Sequence, residues 1–246
     1  MTKARWLALG AATLALAACN QATDNKAGAA NGSAAAAVAP PAGQDWTQVV
    51  SETPEGGFRM GNPNARVKLV EYASLTCGHC AEFSESGGPK LQEYVKKGTV
   101  SLEIRDYLRS PFDALLVLTT RCQGPGSYFA LTEQALAQQN AFLGKAQNID
   151  NATAARLQGL APADQFKELA RVIGADQFAK QRGISEAKLD ACLSDKASLD
   201  KLVEMQKYAN ETAQIPGTPA FIMNGQLLQN AGTWETLEPQ LRAAGA

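Results

Sequence analysis

Histidine is almost absent from this chain: its 246 residues contain one, His79, beside five cysteines. A zinc centre needs about four ligands around a tetrahedron. With one imidazole, set between two of the cysteines, only the remote Cys122 and Cys192 remain to complete such a set. Excess positive charge is missing as well. The formal charge is −1, so no basic surface offers itself to nucleic acid. Nor does the apolar run from Trp6 to Ala18 reach the ~20 residues that a membrane-spanning helix requires.

That run is informative for what flanks it. Lys3 and Arg5 precede it and Leu16-Ala17-Ala18-Cys19 closes it, so residues 1–18 read as an export signal. Leucine and small residues before a cysteine resemble the lipobox of bacterial lipoproteins, which implies that Cys19 becomes a lipidated first residue anchoring the protein to a membrane. The alternative is an ordinary signal cleaved near the same alanines. Asn20, where an aspartate would favour retention at the inner membrane, leans away from that signal and leaves the membrane open. Removing Lys3 and Arg5 with the leader lowers the formal charge to −3. Residues 19–44 are largely Ala, Gly, Asn and Pro, a composition that cannot bury a core and reads as a disordered tether.

The single histidine stands in Cys77-Gly78-His79-Cys80. Two thiols at this spacing can close a disulfide. Where such a pair opens a helix behind a strand, the first sulfur receives the field and N–H groups of the helix start, and the second is held ready to resolve a mixed disulfide. His79 adds a donor and, when protonated, a positive charge, and either favours thiolate over thiol. Haem attachment would need histidine directly after the second cysteine, where Ala81 stands. A purely structural disulfide closing so short a ring would staple little.

The strand expected before the motif is Val67–Ala73. A helix is predicted from Cys77 towards Lys97, kinked or broken at Gly87-Gly88-Pro89. Alternation of Val100, Leu102 and Ile104 with Ser101, Glu103 and Arg105 predicts a second strand. From Pro111 to about Thr212 the periodicity is helical. Leu115, Leu118 and Cys122 share a face, and further helices are predicted at Tyr128–Phe142, Ala163–Val172, Ala175–Gln181, Glu186–Leu193 and Ala197–Thr212. Strand character returns at Ala220–Met223, and Asn224-Gly225 is a two-residue hairpin turn into Gln226-Leu227-Leu228. A helix from Trp234 to Leu241 closes the chain. The pattern predicts an α/β domain split by an inserted helical block: residues 45–110 and 213–246 for the former, 111–212 for the latter.

With these elements in place, the sequence resembles the DsbA-like thiol–disulfide oxidoreductases, from about Asp45 to the C-terminus. Three matches carry the resemblance: Glu71-Tyr72-Ala73-Ser74-Leu75-Thr76-Cys77-Gly78-His79-Cys80, the loop Gly217-Thr218-Pro219-Ala220-Phe221, and the long helical stretch between them. The tetrapeptide departs from DsbA itself, which has proline where Gly78 stands, and Cys-Gly-His-Cys is also the motif of eukaryotic disulfide isomerases.

The resemblance implies a thioredoxin-like fold with an inserted all-helical subdomain, and it assigns roles. Cys77 is the exposed nucleophile, tuned by His79, and Cys80 is the buried resolving thiol. Pro219 is cis and presents the Thr218 backbone to an extended substrate. Glu71 is a candidate proton relay for the buried thiol, the alternative being a solvated charge at a strand end. Tyr72 and Phe221 read either as groove lining or as core. Cys122 and Cys192 remain once Cys19, Cys77 and Cys80 are assigned. In an exported protein they are expected to pair, as in some DsbA-like relatives, rather than stay as two separate buried thiols.

The function expected from this is a periplasmic, membrane-anchored, monomeric oxidase without bound cofactor or metal. It would pass its disulfide to exported polypeptides and be reoxidised by a quinone-linked membrane partner. A reductase or isomerase using the same site is the main alternative, since Thr218 before the proline also occurs in isomerase-type relatives. Those are built as dimers on a separate N-terminal domain, which the low-complexity segment cannot supply. A non-enzymatic tethered module, holding copper through Cys77 and Cys80 or acting as a chaperone, is the third.

Overall fold

A computed structural model describes residues 39–246. The export signal, Cys19 and most of the tether lie outside the described residues. After a single turn at Trp46–Gln48, capped by Asp45, the chain forms β1 (Val50–Glu52), β2 (Phe58–Gly61) and β3 (Val67–Ala73). The helices α1 (Gly78–Ser86) and α2 (Gly88–Lys96) follow, then β4 (Val100–Asp106). Eight helices make up the insertion: α3 (Pro111–Arg121), α4 (Pro125–Ala137), α5 (Gln139–Gln147), α6 (Asn151–Gln158), α7 (Pro162–Ile173), α8 (Ala175–Gln181), α9 (Glu186–Leu193) and α10 (Lys196–Glu211). The chain then returns as β5 (Ala220–Met223) and β6 (Gln226–Leu227) and ends in α11 (Trp234–Ala243).

The six strands form one sheet in the order β1-β2-β4-β3-β5-β6. Only β3 and β4 run parallel, as a strand–helix–strand crossover requires, and every other pair is antiparallel. The far end of the chain thus lays β5 directly against β3, whose C-terminal end delivers the cysteines. Alternation along β3 divides the core. Val67, Leu69 and Ala73 join the large cluster that includes Phe83, Leu91 and Leu115, while Tyr72 belongs to a smaller one with Ala209, Ile215 and Ala220. By the same alternation Glu71 faces the large cluster with Leu69 and Ala73.

Polar contacts tie the insertion to the sheet. Asp106, at the end of β4, accepts from Arg121 Nε at 2.7 Å and from the Tyr128 hydroxyl at 2.7 Å, joining α3 and α4 to one strand end. Cys122 and Cys192 are bonded to each other with their Cα atoms 5.7 Å apart, which links the end of α3 to α9. The two sulfurs needed to complete a zinc set are therefore engaged elsewhere.

Several elements differ from the sequence expectation. β1 and β2 extend the sheet where no strand was predicted. The predicted helix at Tyr128–Phe142 is two helices, α4 and α5, divided at Gln138, and it begins earlier, at Pro125. α6 occupies a segment given no helix, whereas the stretch from Cys77 to Lys97 is broken into two helices at Gly87, as expected.

Candidate active site

β3 is followed by the turn Ser74-Leu75-Thr76, after which Cys77 is the N-cap of α1, with extended backbone (φ −96°, ψ 119°). A residue here points its side chain at the free N–H groups of the first helical turn. The Cys77 thiol donates to the Thr218 carbonyl at 3.1 Å, across to the loop before β5. The Thr218–Pro219 bond in that loop is cis. Cys80 lies one turn on, fully buried, and the Ser74 N–H donates to its sulfur at 3.5 Å.

This arrangement separates the two thiols. Cys77 is held down from 9.0 to about 4, first by the hydrogen bond that the Cys80 thiol gives it, against the cost of burial; the Thr218 side chain and the backbone N–H groups of Cys80 and His79 add to the effect. Thr218 Oγ1 is buried and has no partner while Cys77 is a thiol, so its hydrogen is free for the thiolate. Cys80 is pushed far up, first by giving that same hydrogen bond, then by burial and by the charge of Glu71. At neutral pH the reduced pair is one thiolate and one thiol.

Cys77, expected as the exposed nucleophile, is itself only 5% exposed, and His79 also differs from expectation. The His79 ring is 80% exposed and its Nδ1 lies 3.0 Å from Glu82 Oε2. Its pKa is raised first by that hydrogen bond and the Glu82 charge, and only then by Cys77. The ring turns outward along α1, so the hydrogen bond expected from the imidazole comes instead from the His79 backbone N–H, while the expected positive charge of the ring still favours the Cys77 thiolate. Glu71 is no solvated strand-end charge either. It is 6% exposed, and burial alone raises its carboxyl from 4.5 to about 8, so it is mostly neutral at pH 7. Tyr72 and Phe221 are core residues, both fully enclosed, and Phe221 stacks on Phe83 of α1 with ring centroids 4.9 Å apart.

Sequence reasoning missed the two residues that hold the cysteine turn in place. Asp113, in the first turn of α3, is completely buried. Its Oδ1 accepts from the Ser74 hydroxyl (2.8 Å) and the Thr76 N–H (3.1 Å), and its Oδ2 from the Thr76 hydroxyl (2.7 Å) and the Arg109 N–H (3.0 Å). Gln139, the first residue of α5, donates from Nε2 to the carbonyls of Leu75 (2.9 Å) and Cys77 (3.0 Å). Ser110, three residues before Asp113, caps α3 and was a readable helix start. That the acid would turn towards Ser74 and Thr76 was not readable.

A groove of about 800 Å³ opens beside Cys77, walled by His79, Tyr107, Arg109, Gln206 and Thr218. The insertion thus supplies one wall, through α10, and the Thr218 loop the other.

Residues 53–243 match the family model described as Thioredoxin. The chain belongs to the thioredoxin family. Among solved structures, this thioredoxin-family chain is similar to a protein-disulfide isomerase from Novosphingobium aromaticivorans, with 32% identity and a TM-score of 0.70 over 76% of this chain and 97% of that one. It is also similar to α-DsbA1 of Wolbachia pipientis, with 18% identity and a TM-score of 0.62 over 78% and 92% of the two chains. The latter likeness speaks for the fold: a thioredoxin sheet carrying the helical insertion of DsbA proteins. A Rickettsia bellii protein named "Putative protein-disulfide oxidoreductase" is 23% identical over 184 residues, 74% of this chain and 62% of its own length. This thioredoxin-family chain spans about 60% of the length of the curated relatives it matches. Among the described residues, no helix is long and apolar enough to cross a membrane.

Proposed function

We propose that this protein is an exported thiol–disulfide oxidoreductase that donates the Cys77–Cys80 disulfide to cysteine-containing polypeptides. The observation that carries the reading is the division of labour between the sulfurs: Cys77 at a helix start, stable as thiolate and bordering the groove, and Cys80 buried beneath it as thiol.

In the oxidised protein a substrate thiolate attacks the Cys77 sulfur. The Cys77–Cys80 bond breaks, and the electron pair leaves on Cys80, which takes up a proton. A second substrate thiolate then attacks its partner sulfur in the mixed disulfide and expels Cys77 as thiolate. The substrate has lost two electrons, and the protein holds one thiolate and one thiol. Thr218 and Pro219 present backbone to the substrate, and Glu71, neutral at pH 7 and facing Cys80, supplies the proton. Reoxidation reverses the electron flow into a membrane partner. Location in the periplasm and lipid attachment through Cys19 rest on the leader alone.

Stabilising the Cys77 thiolate stabilises the reduced form and makes the disulfide oxidising. A thiolate pKa of about 4 contributes at most about 4 kcal/mol at pH 7, or about 90 mV for two electrons, less what groove water screens. Equilibration with glutathione tests the direction. The oxidase reading expects a potential well above thioredoxin's, about −270 mV, and Cys80→Ser should accumulate reducible adducts with substrate through Cys77. A potential at the thioredoxin value would turn the reading to a reductase.

The 32% identity to a protein-disulfide isomerase from Novosphingobium aromaticivorans favours a second reading, in which the same pair reshuffles disulfides. Refolding of a scrambled multi-disulfide protein separates the two. An isomerase restores activity with the pair kept reduced, and an oxidase does not.

A further inference from the structure

Cys80 must gain a proton each time the active disulfide opens and lose it each time the disulfide closes, yet it is fully buried. The carboxyl of Glu71 acts on it, and Glu71 is itself buried. A relay ending there would stop after one transfer, so the proton needs an onward route.

Such a route is built on the far side of Glu71. A cavity of about 30 Å³ lies between β3, α1, α2 and α4, with Glu71, Phe83, Gln92, Phe129, Thr132 and Glu133 on its wall. About 10–15 Å³ suffices for a water, provided two or more polar groups meet it. Glu71, Thr132 and Glu133 bring polar side chains to this wall, and Thr132 is 2% exposed. The Tyr128 hydroxyl gives its own hydrogen to Asp106, and its oxygen stands within reach of the Thr132 hydroxyl hydrogen, which leaves the Thr132 lone pairs for water. Glu133 and Gln92, hydrogen-bonded at 2.5 Å, also wall an open surface groove with Gly78, Glu82 and Gln139. They line both the inner space and the outer groove.

We propose that Glu133 is the outlet of a proton path running from Cys80 through Glu71 and water held by Thr132 to the surface groove. The path rests on the exchange function proposed above. When a substrate thiolate opens the disulfide, Glu71 gives its proton to the Cys80 sulfur, and a proton from Glu133, carried by the cavity water, neutralises the Glu71 carboxylate. Glu133 is refilled from solvent. On reoxidation, each transfer runs backwards. Burial raises both carboxyls above their ordinary values, Glu71 to about 8. Glu133 touches no reacting sulfur and acts through Glu71.

The test uses the full chain and a reduced peptide with two cysteines, followed by stopped flow in H2O and D2O. Glu133→Gln keeps the acceptor for Gln92 and removes the proton; Thr132→Val removes the hydroxyl at nearly constant volume. Each is expected to slow peptide oxidation about tenfold and to raise the solvent isotope effect. The Cys77 titration and the equilibrium with glutathione should not move, because a route alters rates and not end states. Thr132→Ser should restore the rate. Wild-type rates and isotope effects in both variants would overturn the proposal, as would slowing with an unchanged isotope effect and a shifted Cys77 titration, the mark of damaged packing. If Glu71→Gln is slow and Glu133→Gln is not, the outlet fails while the exchange function stands. If the wild-type chain does not oxidise the peptide at all, both fail.

Discussion

Cys77 and Glu71 pull the pH dependence of stability in opposite directions. The Cys77 pKa falls on folding from 9.0 to about 4, so its contribution to the reduced form is complete above 9 and is lost as pH falls towards 4. The Glu71 pKa rises from 4.5 to about 8, so its burial costs nothing below 4.5 and costs most above 8, at most about 5 kcal/mol. Between 4.5 and 8 the two slopes oppose each other in the reduced chain. In the oxidised chain Cys77 does not titrate and only the Glu71 slope remains. Denaturant unfolding should therefore show the oxidised form losing stability from pH 5 to pH 8 while the reduced form stays nearly level, and Glu71→Gln should flatten the oxidised profile. At the same scale, Thr218→Val deletes a donor that the thiolate uses. It should raise the Cys77 pKa in a titration of thiolate absorbance and make the reduction potential more negative in step.

The turn that presents the cysteines is held by the first turns of two helices. Asp113→Asn replaces a carboxylate oxygen with an amide among the donors of Ser74, Thr76 and Arg109. It should cost about 2 kcal/mol of stability and also shift the Cys77 titration, whereas a substitution acting on stability alone would leave that titration in place. Gln139→Leu strips a donor from the Leu75 and Cys77 carbonyls and should act in the same direction, by about 1 kcal/mol. These elements also show what the sequence made legible. β3, β4 and the β5–β6 hairpin were readable because alternation and Asn224-Gly225 are local signals, and the cysteine pair was readable because its chemistry lies within four residues. β1 and β2 span three and four residues, too short for a period, and exist through pairing, β2 with β4 and β1 with β2. Gly57 fits there because a Cβ would meet Glu103 Oε1 at 2.6 Å. The stretch that forms α6 buries only Leu157 and so has no apolar stripe to read. Nothing at Gln138 announces a helix break: the residues around it carry neither glycine nor proline, and the break sets Gln139 against the cysteine turn. Asp113 and Gln139 were invisible for the same reason, since their partners in the cysteine turn lie more than thirty residues away.

Taken as a whole, the molecule anchors both ends of the helix that carries Asp113. Its first turn grips the cysteine turn, and just past its last residue, Cys122 is bonded to Cys192 across 70 residues of sequence. Replacing both cysteines with serine should lower stability by about 4 kcal/mol in the chain-entropy account, read as a lower unfolding midpoint. In mass spectrometry with graded reductant, the Cys77–Cys80 pair should open before this bond, because its leaving thiolate is stabilised. The grip of α3 and α5 on the cysteine turn has a consequence for protein engineering. Transplanting Cys-Gly-His-Cys into a smaller scaffold that lacks the helical block would carry over the letters of the motif and leave behind the carboxylate and the amide that aim it. A chimera should recover the parent thiol acidity only when those two helix starts travel with the tetrapeptide.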